Sequence, residues 1–127
     1  MHILVVEDEK ATADLLLECL QAWGHDAVCA GDGAAAKQML SRGTGFDLLL
    51  LDLFLPDGLG HHMLPAFRAL QPELPVVTMT GSNTRELELQ VRQQGILYYM
   101  SKPFELMELK RLLDHVGRNS ALAASDV

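Results

Sequence analysis

The 127 residues suit one compact domain, since domains most often run about 100–150 residues and a chain this size buries a real core. Hydrophobic residues make up 49% of the chain and charged residues 21%, which excludes a disordered polyelectrolyte. The net charge of -7 speaks against direct nucleic-acid binding, which needs clustered Lys and Arg.

In chain order, residues 3–6 (Ile-Leu-Val-Val) form an apolar run that ends in Glu7-Asp8-Glu9. The run is too short for a signal sequence or a membrane span, so the cytoplasm is the expected compartment and no membrane contact is expected. Residues 11–23 have helical spacing closed by Gly24, residues 26–30 read as a weaker second strand, and residues 34–41 read as a helix after Asp32-Gly33. The third strand covers residues 46–51 and stops at Asp52. A helix over residues 60–70 ends before Pro72, a fourth strand covers residues 76–79, and a helix over residues 84–94 is closed by Gly95. Within that helix Leu87-Glu88-Leu89-Gln90-Val91 alternates like a strand, but Leu87, Val91 and Gln94 share a helical face, and the segment is read as helix. The fifth strand covers residues 97–100 and the last helix residues 104–116. Residues 118–127 offer little for a core and read as a tail or the start of a linker, which leaves residues 1–117 as the domain.

The main strands are aliphatic without polar alternation, which suits a parallel sheet. A β-α alternation repeated five times makes a doubly wound α/β sheet, with right-handed crossovers and helices on both faces, the economical solution. By analogy with flavodoxin-like sheets, the expected strand order is 2-1-3-4-5. Cys19 and Cys29 fall in no metal-ligand or redox spacing and read as small core residues.

Four of the apolar runs end in polar residues: Glu7-Asp8-Glu9, Asp52, Thr80 and Lys102. In a parallel sheet these ends share one edge, where open α/β folds bind ligands. Like charges about 4 Å apart repel by roughly 4 kcal/mol at an effective dielectric of 20, so such an acidic cluster calls for a cation or a proton. All-oxygen ligands favour Mg²⁺, which takes one or two carboxylates and bridges to phosphate oxygens. Lys102 would add a point charge for a phosphoryl oxygen and Thr80 a hydrogen bond. A carboxylate can itself be the nucleophile in phosphoryl transfer, and Asp52, at the end of the central run, is the natural candidate.

These residues carry a family resemblance. Val5-Val6-Glu7-Asp8-Glu9, Asp52-Leu53-Phe54-Leu55-Pro56-Asp57-Gly58-Leu59-Gly60, Thr80-Gly81 and Tyr99-Met100-Ser101-Lys102-Pro103-Phe104, in this order and spacing, make the chain from Ile3 to about Val116 resemble a bacterial two-component response-regulator receiver. The resemblance implies phosphorylation of Asp52 by a histidine kinase or phosphotransfer protein, with Glu7, Asp8, Asp52 and the backbone carbonyl of Phe54 around Mg²⁺. It implies that Thr80 and Lys102 hold the phosphoryl group and that Thr80 and Tyr99 move together as a conformational switch. It further implies a cis Lys102–Pro103 peptide and positions at Phe54 and Ser82 that tune dephosphorylation. A homodimer or partner would meet the face made by residues 84–94, the fifth strand and the last helix, where Arg85, Glu86, Lys110, Arg111 and Asp114 could supply charged contacts. Such a chain is a phosphoacceptor and not a turnover enzyme on an external substrate, and it controls an output domain or partner.

Three rival functions are weighed against this one. Phosphatases with an Asp nucleophile have a second Asp two residues on, where this chain has Phe54. Flavodoxin-type flavin binders need a phosphate-attracting first loop, and Glu7-Asp8-Glu9 would repel phosphate. A receiver-like interaction module that is no longer phosphorylated should have lost a site residue, and all are retained. His61-His62 reads as solvated surface, because adjacent residues do not share a helical face.

Overall fold

The computed structural model describes residues 1–43 and 45–125. Along them the elements are β1 (His2–Val6), α1 (Lys10–Ala22), β2 (Asp26–Ala30), α2 (Gly33–Ser41), β3 (Leu48–Asp52), β4 (Phe54–Leu55), β5 (Gly58–Leu59), α3 (Gly60–Leu70), β6 (Val76–Thr80), α4 (Arg85–Arg92), β7 (Tyr98–Ser101) and α5 (Leu106–Ser125). The five main strands form one parallel sheet in the order β2-β1-β3-β6-β7, the doubly wound, flavodoxin-like arrangement expected from the sequence. β4 and β5 add a small antiparallel hairpin directly after β3. No described helix is long and apolar enough to cross a membrane.

The two-residue period of a strand divides the core between the sheet's faces. Ile3 and Val5 pack with Leu16, Leu20, Leu109 and Leu113 from α1 and α5, whereas Leu4 and Val6 pack with Leu40, Leu64 and Phe67 from α2 and α3. Leu48, Leu49, Leu50 and Leu51 of the central strand are fully buried, and each such side chain contributes about 1.5–3 kcal/mol. The weak apolar signal of β2 has a simple cause: it is an edge strand, and Asp26 and Val28 are exposed.

In α4 the helical period prevails over the strand-like alternation. Leu87 and Val91, four residues apart, pack against Leu53 and Tyr99, while Leu89 is exposed. The helix starts at Thr84, whose hydroxyl accepts from the Leu87 amide at 3.1 Å. Its C-terminal end is tied to α3, because the Arg68 guanidinium donates to the carbonyls of Gln94 and Gly95.

Three expectations need correction. α5 does not end at Val116 but continues to Ser125, because the run Ala121-Leu122-Ala123-Ala124 favours helix and a single Gly117 costs only about 1 kcal/mol. Asp126 and Val127, the end of the expected tail, lie outside the described residues. Cys19 and Cys29 are half-buried rather than fully enclosed, and Cys29 packs against the core from its edge. His61 is not solvated surface but 2% exposed in the first turn of α3. Both of its ring nitrogens are buried without a hydrogen-bond partner, and the His62 ring stands edge-on 4.4 Å away.

Two outcomes follow from this packing. A Cβ at Gly60 would lie 2.4 Å from the Asp52 carbonyl oxygen, so Gly60→Ala should lose about 1–3 kcal/mol in urea denaturation. Burial, with a smaller contribution from His62, holds the His61 imidazole below its usual value. Above about pH 6.5 both folded and unfolded chains carry it neutral; below that the unfolded chain takes the proton first and stability falls. His61→Leu should therefore flatten the decline of Tm between pH 6.5 and 5 relative to wild type.

Candidate functional site

The backbone ladder delivers each site residue to the C-terminal edge of the sheet. Glu7 extends β1 by one rung, its amide donating to the Ala30 carbonyl at 3.0 Å. Asp52 is the last residue of β3 and pairs with Met79. Thr80 ends β6 opposite Ser101 of β7, and the Lys102 amide donates to the Thr80 carbonyl at 2.7 Å. The Lys102–Pro103 peptide that follows is cis.

The central contact is ionic. Lys102 Nζ donates to Glu7 Oε1 at 2.5 Å and to Asp52 Oδ2 at 3.1 Å. The Glu7 side chain is fully buried, that of Asp52 nearly so, and that of Lys102 is 23% exposed. The other oxygen of Asp52, Oδ1, accepts from the Phe54 amide at 3.0 Å, and Glu7 Oε2 accepts from the Asp8 amide at 3.1 Å. Burial, reinforced by a hydrogen bond to Asp52, pushes the Glu7 carboxyl up to about 7, although Lys102 opposes the shift. Burial works against the Lys102 ammonium, but hydrogen bonds to Glu7 and Asp52 outweigh it and hold the group above its usual value.

One oxygen from each of Glu7, Asp8 and Asp52 lies within 4.8 Å of the others. Asp8 is exposed and opens the cluster to solvent. Three carboxylates against one ammonium leave the site short of positive charge. A hard divalent cation with oxygen ligands fits this donor set.

The other expected residues lie around this centre. Thr80 is fully buried, and its hydroxyl is engaged within its own loop: it accepts from the Ser82 amide at 3.1 Å and lies 3.2 Å from the Ser82 carbonyl oxygen. Tyr99 is 7% exposed and packs with Leu53 and Val91. Its hydroxyl donates to Asn83 Oδ1 at 3.0 Å, and the Arg92 guanidinium sits 5.7 Å from the ring centroid. The Phe54 side chain is exposed beside Asp52.

Two residues with structural roles at this edge escaped the sequence reading. Asp57, at the tip of the β4–β5 hairpin, accepts from the amides of Gly33 and Ala34 at 3.0 Å each and so ties the segment after Asp52 to the start of α2. Those donors hold its carboxyl below the usual range. The Pro56-Asp57-Gly58 turn could have flagged it, but its partners lie 23 and 24 residues away. Asn83 bridges Tyr99 and Ser101, and no local pattern signals a long-range amide bridge.

Comparison with known proteins agrees with this geometry. Residues 3–114 match the response regulator receiver domain family. The chain is 33% identical over 116 residues to the DNA-binding transcriptional regulator NtrC of Bradyrhizobium sp. (strain RP501 Parasponia), a match covering 91% of this chain and 23% of that protein. It is 37% identical over 125 residues to the swarming motility regulation protein RssB of Serratia marcescens, covering 98% of this chain and 57% of the relative. The chain thus spans from 23% to 57% of the length of these relatives. Among solved structures, the non-phosphorylated HemR receiver domain from Leptospira biflexa superposes with a TM-score of 0.82 at 30% identity, covering 91% of this chain and 92% of that one. Fold, strand-end chemistry and similarity converge, and the chain belongs to the response-regulator receiver family of two-component systems.

Proposed function

We propose that the chain accepts a phosphoryl group on Asp52 from the phosphohistidine of a sensor histidine kinase or phosphotransfer protein. The observation that carries this reading is the placement of the Lys102 ammonium between Glu7 and Asp52 at the sheet edge. Attack by an Asp52 carboxylate oxygen forms the P–O bond as the P–N bond of phosphohistidine breaks, the electron pair leaving with the imidazole. In-line transfer of this kind needs chiefly positioning and charge neutralisation. The Phe54 amide orients the Asp52 carboxylate, and Lys102 is close enough to turn toward a phosphoryl oxygen once one is present. The Thr80 hydroxyl, now bonded to Ser82, would supply a further hydrogen bond. Glu7, Asp8, Asp52 and the Phe54 carbonyl would hold Mg²⁺, which supplies the missing positive charge. A change in Thr80 and Tyr99 would then carry the signal to α4, since Tyr99 packs under Val91.

The control of an output domain or partner, a cytoplasmic location, and residues 118–127 as a connection to further chain belong to the same proposal. So does a homodimer or partner contact on the face of α4, β7 and α5, which exposes Leu89, Leu97 and Tyr98.

Incubation with Mg²⁺ and acetyl phosphate should add one phosphoryl mass in intact-protein mass spectrometry, and Asp52→Asn should abolish it. No adduct on wild type, or one that survives the substitution, sinks the reading in favour of an unphosphorylated interaction module. Because the Glu7 carboxyl titrates near 7, Mg²⁺ and protons compete for it. Calorimetric Mg²⁺ affinity should rise with pH through 7 and fall by up to about tenfold per unit below it. Glu7→Gln should remove that dependence along with much of the affinity.

A further inference from the structure

Asn83 lies in the loop between β6 and α4, outside the acidic cluster, and uses both ends of its side-chain amide. Its Oδ1 accepts from the Tyr99 hydroxyl at 3.0 Å and its Nδ2 donates to Ser101 Oγ at 2.8 Å. Tyr99 and Ser101 are two residues apart on β7, so their side chains leave the strand on the same face. Ser101 immediately precedes Lys102. At the other end of the loop, Thr80 and Ser82 are hydrogen-bonded to each other, and Thr84 caps α4.

We infer that Asn83 is a positioning residue that clamps the loop carrying Thr80 to the strand end carrying Lys102. The inference rests on the phosphoacceptor reading and names a regulator of that same site. The backbone already joins the two strands through the β6–β7 ladder, which ends at the bond from the Lys102 amide to the Thr80 carbonyl, but the ladder does not reach the loop beyond Thr80. Asn83 adds a side-chain bridge beyond the end of the ladder and so restricts the loop where the backbone pairing no longer holds it. Thr80 and Lys102 must meet different oxygens of one phosphoryl group, so a fixed relation between them removes an ordering cost from binding. The bridge touches none of Glu7, Asp8 or Asp52 through its hydrogen bonds, and its effect should be confined to the phosphoryl side of the site. The burial of Tyr99 is part of the same clamp: with Leu53, Val91 and Leu87 around its ring and Asn83 on its hydroxyl, the ring has a single anchored position.

The test uses the full chain, Mg²⁺ and beryllofluoride as a phosphoryl mimic, with the bound ¹⁹F signal giving its affinity and calorimetry giving the affinity for Mg²⁺ alone. Asn83→Ala should weaken beryllofluoride binding about fivefold, the change expected for an ordinary hydrogen bond, while Mg²⁺ affinity stays within about twofold. Tyr99→Phe should have a smaller effect in the same direction and should add nothing on the Asn83→Ala background. In the ligand-free protein, NMR of the Tyr99 ring should move from one environment in wild type to an averaged one in Asn83→Ala. Unchanged beryllofluoride affinity overturns the inference, and so does a parallel loss of Mg²⁺ affinity, which marks general loosening. An unmoved Tyr99 ring also overturns it. Failure of the phosphoacceptor reading is told apart by wild type alone, which would then bind no beryllofluoride with Mg²⁺ present.

Discussion

The structure depends on keeping two buried carboxylates, Glu7 and Asp52, beside a single ammonium. Charge taken out of water is costly unless paired and hydrogen-bonded, and a buried pair broken by loss of one partner leaves the other uncompensated. Lys102 bridges the two acids, and the amides of Phe54 and Asp8 take up further carboxylate oxygens. The arrangement is still deficient in positive charge, while burial, reinforced by a hydrogen bond to Asp52, pushes the Glu7 carboxyl up to about 7. This deficit makes the site receptive to a divalent cation, and the cation in turn makes it tolerant of a dianionic phosphoryl group.

The loops around this cluster are anchored to the body of the domain by long-range contacts. Asp57 ties the hairpin after Asp52 to α2, and Gly60 permits α3 to begin against the Asp52 carbonyl, where any side chain would collide. Arg68 holds the end of α4 to α3. The elements that present the acceptor are therefore braced on one side, while the β6–α4 loop is held by side-chain hydrogen bonds, to buried Thr80 and Tyr99 and to exposed Ser101. The exposed Asn83–Ser101 bond opens at lower cost than the buried ones, which suits a segment that changes conformation.

Much of the fold was legible because the strands are so uniformly apolar. The runs 3–6 and 48–51 need burial on both faces, which a helix-covered parallel sheet provides, and the expected strand order was found. Glu7, Asp8, Asp52 and Lys102 were legible for the same reason, since each interrupts or follows such a run. The limits were equally physical. The end of α5 was misplaced because residues 118–127 offer little for a core, although alanines beyond Gly117 carry the helix on. The burial of His61 depends on how α3 sits against its neighbours, and no property of the His-His pair encodes that. Asn83 is an ordinary loop residue until β7 is placed beside it.

The most direct measurement of the central claim is chemical trapping of the acceptor. Protein treated with Mg²⁺ and a phosphodonor is reduced with borohydride, which converts an aspartyl phosphate to homoserine, and the peptides are mapped by tandem mass spectrometry. The account predicts homoserine at position 52 and unreacted side chains at Glu7 and Asp8. Reduction at either of those acids, or an intact Asp52 in protein that has taken up phosphate, would contradict it.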